Sequence, residues 1–118
     1  MNDSKEMARL AYDAMDDKLA KDITIIDISR VSVVADYFLI ADGKNRNQVQ
    51  AIANNVDEFL AKAGYHAKAT EGYSTANWIL MDYSDVIIHI FSTEDRAFYD
   101  LERIWKDGVE IKREDLDK

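Results

Sequence analysis

Residues 78–91 read W-I-L-M-D-Y-S-D-V-I-I-H-I-F. Two apolar runs, Trp78 to Asp82 and Val86 to Phe91, are rich in β-branched and aromatic residues and are parted only by Tyr83, Ser84 and Asp85. Neither run is long enough to make a helix of its own, and so brief a link returns the chain antiparallel, which predicts a β-hairpin near the middle of a sheet. If the strands alternate regularly, His89 shares a face with Ile87 and Phe91. Asp82 and Asp85 then flank the turn, where Asp commonly accepts from nearby backbone N–H groups.

Working outward, Val49, Ile52, Ala53, Val56, Phe59, Leu60 and Ala63 recur at helical spacing and predict a helix stopped by Gly64. Met7, Leu10, Ala11, Ala14, Met15 and Leu19 predict an earlier helix over Ser4 to Ala20, with Asp3 or Ser4 as cap. Ile23 to Ile28 and Tyr37 to Ala41 read as strands; Val31, Val33 and Val34 between them could extend either one, and that segment is left open. Tyr65 to Ala69 reads as a short strand. Thr93 with Glu94 and Asp95 suits the start of a last helix, whose apolar face is Phe98, Leu101, Ile104 and Trp105 and whose stop is Gly108. The tail, residues 109–118, is short and charged and is expected to fray. The element order predicts an α/β (α+β) chain, a mixed sheet of about five strands packed with helices, as one domain over residues 1–118.

Composition narrows the function. The 118 residues contain no Cys, which excludes disulfides, thiolate metal sites and cysteine nucleophiles. No apolar run reaches the length of a membrane span, and the start, MNDSKEMARL, lacks the layout of a secretory signal; a cytoplasmic protein that touches no membrane is expected. The formal charge of −8 opposes direct binding to a phosphate backbone. An acidic surface can still work beside RNA when its immediate partner is a basic protein.

Enzyme signatures are missing: there is no P-loop, no Gly-rich dinucleotide turn, no H-E-x-x-H and no G-x-S-x-G. His66 and His89 do not share the local spacing of zinc ligands, so neither metal nor cofactor is expected. Asp82, Asp85 and His89 could in principle form an acid–base set, but turn-capping carboxylates and a strand imidazole are the commoner arrangement. Trp78 opens an apolar strand and reads either as core or as an exposed interface anchor. From Glu71 through Asp95 there is no Lys or Arg, while Glu71, Asp82, Asp85, Glu94 and Asp95 are acidic and Tyr73, Trp78, Met81 and Tyr83 are interspersed. Aromatics inside a field of one sign suit a basic protein partner; a solvated acidic face is the plainer alternative.

The stretches A-D-Y-F-L-I-A-D-G, N-Q-V-Q-A-I-A at Asn47 to Ala53, E-G-Y-S-T-A-N-W-I-L-M-D-Y-S-D-V-I-I-H-I-F and R-A-F-Y-D-L-E-R-I-W together resemble the ribosomal silencing factor family, also called Iojap-like. The resemblance runs from about Met7 to Gly108. Its most specific parts are Asp36-Tyr37-Phe38, Glu71-Gly72, Trp78, Asp82, Asp85-Val86, His89 and the set Arg96, Tyr99, Leu101, Glu102, Trp105. One departure follows the D-G turn, where Lys44 and Asn45 stand in place of an expected Ser or Thr; Asn caps a helix equally well.

The resemblance implies an architecture similar to nucleotidyltransferases but no enzymatic activity. It implies a translation repressor that binds the universal fourteenth protein of the large ribosomal subunit and sterically blocks association with the small subunit. Carried over residue by residue, it implies partner binding through Glu71, Gly72, Trp78, Met81, Asp82, Tyr83, Asp85 and His89. Arg96, Tyr99, Glu102 and Trp105 match as well, though their helical spacing suits intramolecular packing equally. The alternative from another class is a small nucleotide-processing enzyme. It would need a glycine-serine turn and clustered strand Asp residues, whereas Asp27 and Asp42 form no D-x-D pair and Gly43 precedes Lys44. Monomer and homodimer stay equally open.

Overall fold

The computed structural model describes residues 3–93 and 108–117. In chain order these form α1 (Ser4–Asp17), β1 (Lys21–Asp27), β2 (Tyr37–Gly43), α2 (Arg46–Lys62), β3 (Ala69–Glu71), β4 (Trp78–Asp82), β5 (Val86–Ser92), β6 (Val109–Ile111) and a 3-10 turn, Arg113–Asp117. The helix expected over Thr93 to Gly108, with Arg96, Phe98, Tyr99, Leu101, Glu102, Ile104 and Trp105, lies outside the described residues.

The strands form one mixed sheet in the order β3-β4-β5-β2-β1-β6. β2 and β5 run parallel and every other adjacent pair is antiparallel. A parallel pair needs a crossover, and α2 lies within the one from β2 to β5. Alternation sorts the side chains. Leu39, Ala41, Ile79, Met81, Ile88 and Ile90 join Met7, Ala11, Met15, Ile52, Val56 and Leu60 of the helices in the main core. The opposite face holds a second cluster, Ile26, Ile28, Ala35, Ile40 and Phe91, flanked by Phe38, Trp78 and Ile87.

Helix α2 begins as its sequence suggests. Asn45 is extended at the cap position and its side chain accepts from the Gln48 N–H at 2.9 Å, while Gln48 Oε1 accepts from the Lys44 N–H at 2.6 Å. The Gln48 amide also donates to the carbonyls of Lys18 and Leu19, which ties the start of α2 to the end of α1. Helix α1 has Asp3 at its cap position without a side-chain cap bond.

Three expectations are corrected. The strand foreseen at Tyr65 to Ala69 is replaced by β3 at Ala69–Glu71, because Tyr65 and Ala67 pack against the helix-side core and pairing to β4 starts only where the Lys68 N–H meets the Asp82 carbonyl. The β4–β5 hairpin forms and both its strands are interior, but it is off-centre: β4 stands next to the sheet edge, with just the short β3 outside it. The tail does not fray over residues 109–117. Its β6 takes the open edge of β1, making six strands where about five were expected.

What anchors the tail is charge geometry as well as burial. Arg113 grips Asp13 of α1 with Nε to Oδ1 at 2.9 Å and Nη2 to Oδ2 at 3.0 Å, and its Nη1 reaches Asp117 at 2.9 Å. Leu116 is buried in the main core. Both carboxylates are substantially exposed, so water screens the pairs. Arg113→Ala is expected to cost about 1 kcal/mol and to speed amide exchange at Val109–Ile111 while α2 and β5 stay protected. Hydrogen exchange by mass spectrometry reads the difference; uniform loss of protection would refute a local role.

Candidate functional site

Strand β4 and its neighbours place the sequence-selected residues on two different faces. Trp78, Leu80 and Asp82 point away from α1 and α2, as do Ile87, His89 and Phe91 of β5. Across the sheet, Glu71 pairs with Leu80, Leu80 with His89, and His89 with Ile40, while Asp82 pairs with Ile87 and Ile87 with Phe38. Glu71, Trp78, Asp82 and His89 thus share the outer face. Met81 belongs to the opposite parity, and both it and Tyr83 are buried in the helix-side core. Strand alternation gives Met81 to the core, and the chain's turn carries Tyr83 there with it, so these two are not brought together with the outer-face residues.

Aromatic rings organise the centre of the outer face. The half-buried Trp78 stacks on Phe91 with centroids 5.2 Å apart. Its indole N–H donates to Nδ1 of the buried His89 at 3.0 Å. Phe38 meets the imidazole edge-on at 5.6 Å. Because Nδ1 accepts, the neutral ring carries its proton on Nε2. Burial pushes the His89 pKa down to about 4, so the ring is uncharged near neutrality. This imidazole positions an indole.

The segment that delivers Trp78 is pinned from behind. The Gln50 side-chain amide donates to the Tyr73 carbonyl at 2.8 Å, and that of Asn54 to the Tyr73 hydroxyl at 2.9 Å. Within the segment the Ala76 N–H bonds to the Gly72 carbonyl, and the Asn77 carbonyl accepts from the Ser92 N–H. Gly72 has φ +81, and a Cβ there would lie 2.2 Å from the Trp78 carbonyl oxygen. Its lack of a Cβ leaves room for the β4 backbone.

The acids form a rim. Glu71 and Asp85 are exposed and Asp82 is half-buried. Asp82 Oδ1 accepts from the Ser84 N–H at 2.7 Å, the turn-capping role that the sequence suggests. The Tyr83 hydroxyl is buried with no hydrogen-bond partner among the described residues, and its pKa is raised by burial and then by the nearby Asp57 carboxylate. Two residues that sequence reasoning missed, Leu80 and Ile87, are half-buried on the outer face beside His89 and Asp82. The signal was present, since they share the parity of Trp78 and His89.

Among the described residues no group of three or more His, Cys, Asp or Glu side chains could hold a metal ion. Asp27 and Asp42 sit at opposite ends of the β1–β2 ladder, so they do not combine into the paired carboxylates of a two-metal site. No described helix is long and apolar enough to cross a membrane. The outer face carries half-buried aromatic and aliphatic groups inside an acidic border.

Comparison with known proteins identifies the family. A family model described as "Ribosomal silencing factor during starvation" matches residues 1–118. The chain is 38% identical over 111 residues to "Ribosomal silencing factor RsfS" of Halalkalibacterium halodurans, covering 94% of this chain and 95% of that protein. The protein of the same description from Bacillus subtilis is 41% identical over 104 residues, covering 88% of each. A crystal structure of a Chromobacterium violaceum protein superposes with a TM-score of 0.84 at 33% identity, over 90% of this chain and 88% of that one. With the match spanning residues 1–118 and so every described helix and strand, the chain belongs to the ribosomal silencing factor family.

Proposed function

We propose that the protein represses translation in the cytoplasm by binding the universal fourteenth protein of the large ribosomal subunit and excluding the small subunit from its joining face. The mechanism is occupation of space by a body measuring 36 × 32 × 25 Å, without any bond made or broken. The observation that supports it best is the outer face of the hairpin, where Trp78 sits within the acidic border of Glu71, Asp82 and Asp85 and no Lys or Arg occurs from Glu71 through Asp95. Such a border favours a basic ribosomal protein over the RNA phosphates around it.

The test uses purified large subunits. Trp78→Ala removes the aromatic anchor and is expected to weaken co-sedimentation by about 2 kcal/mol or more. Since it also ends the bond to His89 and the stack on Phe91, the paired charge reversal Glu71→Lys with Asp85→Lys serves as the arm that touches no buried contact. That pair should lower the fraction bound at matched salt and raise the yield of joined ribosomes from purified halves. If the double reversal binds and blocks joining as the parent does, the proposed surface is wrong.

A further inference from the structure

The β1–β2 loop carries three exposed aliphatic side chains in four positions: Val31, Val33 and Val34 are 56%, 106% and 78% exposed. A single exposed valine is ordinary; a cluster of three is not. The exposure is built into the backbone. The N–H groups of Val31 and Ser32 bond to the Ile28 carbonyl at 3.0 and 2.9 Å, and the Val34 N–H bonds to Ser32 Oγ at 3.1 Å. The loop's two ends, Ile28 and Ala35, are buried in the same outer-face cluster that Trp78 packs against. Beside Val31 opens a cleft of about 340 Å³ lined by Asp27, Arg30, Val31 and the exposed Val109.

The loop is continuous with the surface described above. The N–H groups of Asp36 and Tyr37 both bond to the Asp85 carbonyl, at 2.7 and 3.3 Å. Trp78 lies at the other end of β4, a strand length of about 15 Å away. Charge then selects among occupants. Asp27 and Arg30 line the cleft with Val31, Asp36 ends the loop in a pocket shared with Lys5, and Asp85 adjoins the loop through its backbone carbonyl, so three acids stand against two bases there. That border repels RNA phosphates, and a second copy would bring the same acids against themselves.

We infer that the β1–β2 loop is a second apolar anchor for the large-subunit protein, with Val31, Val33 and Val34 meeting an aliphatic or aromatic side chain on a basic protein surface. The inference rests on the proposed function and extends its footprint from Trp78 past Asp85 to the cleft at Val109. It gives the docking two separated points, which fix orientation as well as affinity.

The experiment compares the full-length parent, the triple variant Val31→Ser, Val33→Ser, Val34→Ser, and Trp78→Ala. Each is measured for co-sedimentation with purified large subunits at matched salt, for thermal midpoint and for mass by sedimentation equilibrium. The triple variant is expected to keep the parent's thermal midpoint and mass and to bind about tenfold or more weakly. Parent-like binding of the triple variant, with loss of binding in Trp78→Ala, overturns the loop anchor and leaves the proposed function standing. Parent-like binding by both variants, or no binding by the parent, removes the proposed function and the inference with it. A parent dimer that the triple variant turns into a monomer with undiminished subunit binding also overturns the inference, since the valines would then be a contact between copies.

Discussion

Gly72→Ala is expected to destabilise the fold by about 3 kcal/mol or more, whereas Gly64→Ala costs about 1 kcal/mol. Both glycines are left-handed, with φ +81 and +93, so an alanine pays a similar backbone penalty at either position. Their surroundings differ. Among the described residues nothing lies within 4 Å of a Cβ built at Gly64, while one at Gly72 meets the Trp78 carbonyl oxygen at 2.2 Å and Ile79 Cα at 3.7 Å. The obstacle is backbone belonging to a strand that is paired to β5 along its whole length, so it cannot swing aside as a side-chain tip would. Relief requires moving the start of β4 or opening the loop that Tyr73 anchors to α2. Thermal unfolding of the two variants should separate them by roughly 10 °C, with Gly72→Ala the lower. Gly72→Ala should also lose large-subunit binding, because Trp78 moves with its backbone. Equal melting temperatures for the two variants would show that the close approach does not exist in solution.

What was legible in the sequence follows from how locally each feature is encoded. The β4–β5 hairpin is written in contiguous residues, two apolar runs and a turn whose Asp82 caps its own loop, and the structure reproduces it. Helix α2 is announced by its repeat, by Asn45 and by Gly64. Strand β6 is three residues long and exists because β1 has an open edge to fill, which no local pattern can reveal. The family was readable because its matching segments span the chain, whereas the composition of the site was readable only in part. Parity within β4 already separates Trp78 and Asp82 from Met81 in the sequence. The bond between Trp78 and His89 depends on which residues of two strands stand opposite and diagonal to one another, and register is set by the assembled sheet. The valine loop shows a different limit. β-Branched residues look like strand in any one-dimensional reading, and only the turn bonds to Ile28 and the burial of Ala35 turn Val31, Val33 and Val34 outward.

That buried imidazole makes the stability of the outer face depend on pH in a predictable direction. In the unfolded chain His89 titrates near 6.5; in the fold burial holds it to about 4. Below pH 6.5 the unfolded state therefore takes up a proton that the folded state refuses, and stability present above that value is lost progressively until pH reaches about 4. Over the whole window the loss from this one group is about 3 kcal/mol. The informative quantity is the difference from a variant. His89→Asn keeps an acceptor that can serve the Trp78 indole but has no proton to gain, and its urea midpoint should vary less between pH 7 and 4.5 than the parent's. His89→Leu flattens the same profile and in addition leaves the indole N–H without its acceptor, at a cost of about 1 to 3 kcal/mol at every pH. An unchanged pH profile in His89→Asn would mean that the imidazole is not buried neutral. If His89→Leu bound large subunits as tightly as the parent while His89→Asn did not, the imidazole would not be what orients Trp78. The expected order is the reverse, with binding kept in His89→Asn and weakened in His89→Leu, because the acceptor at the Nδ1 position holds the indole in place.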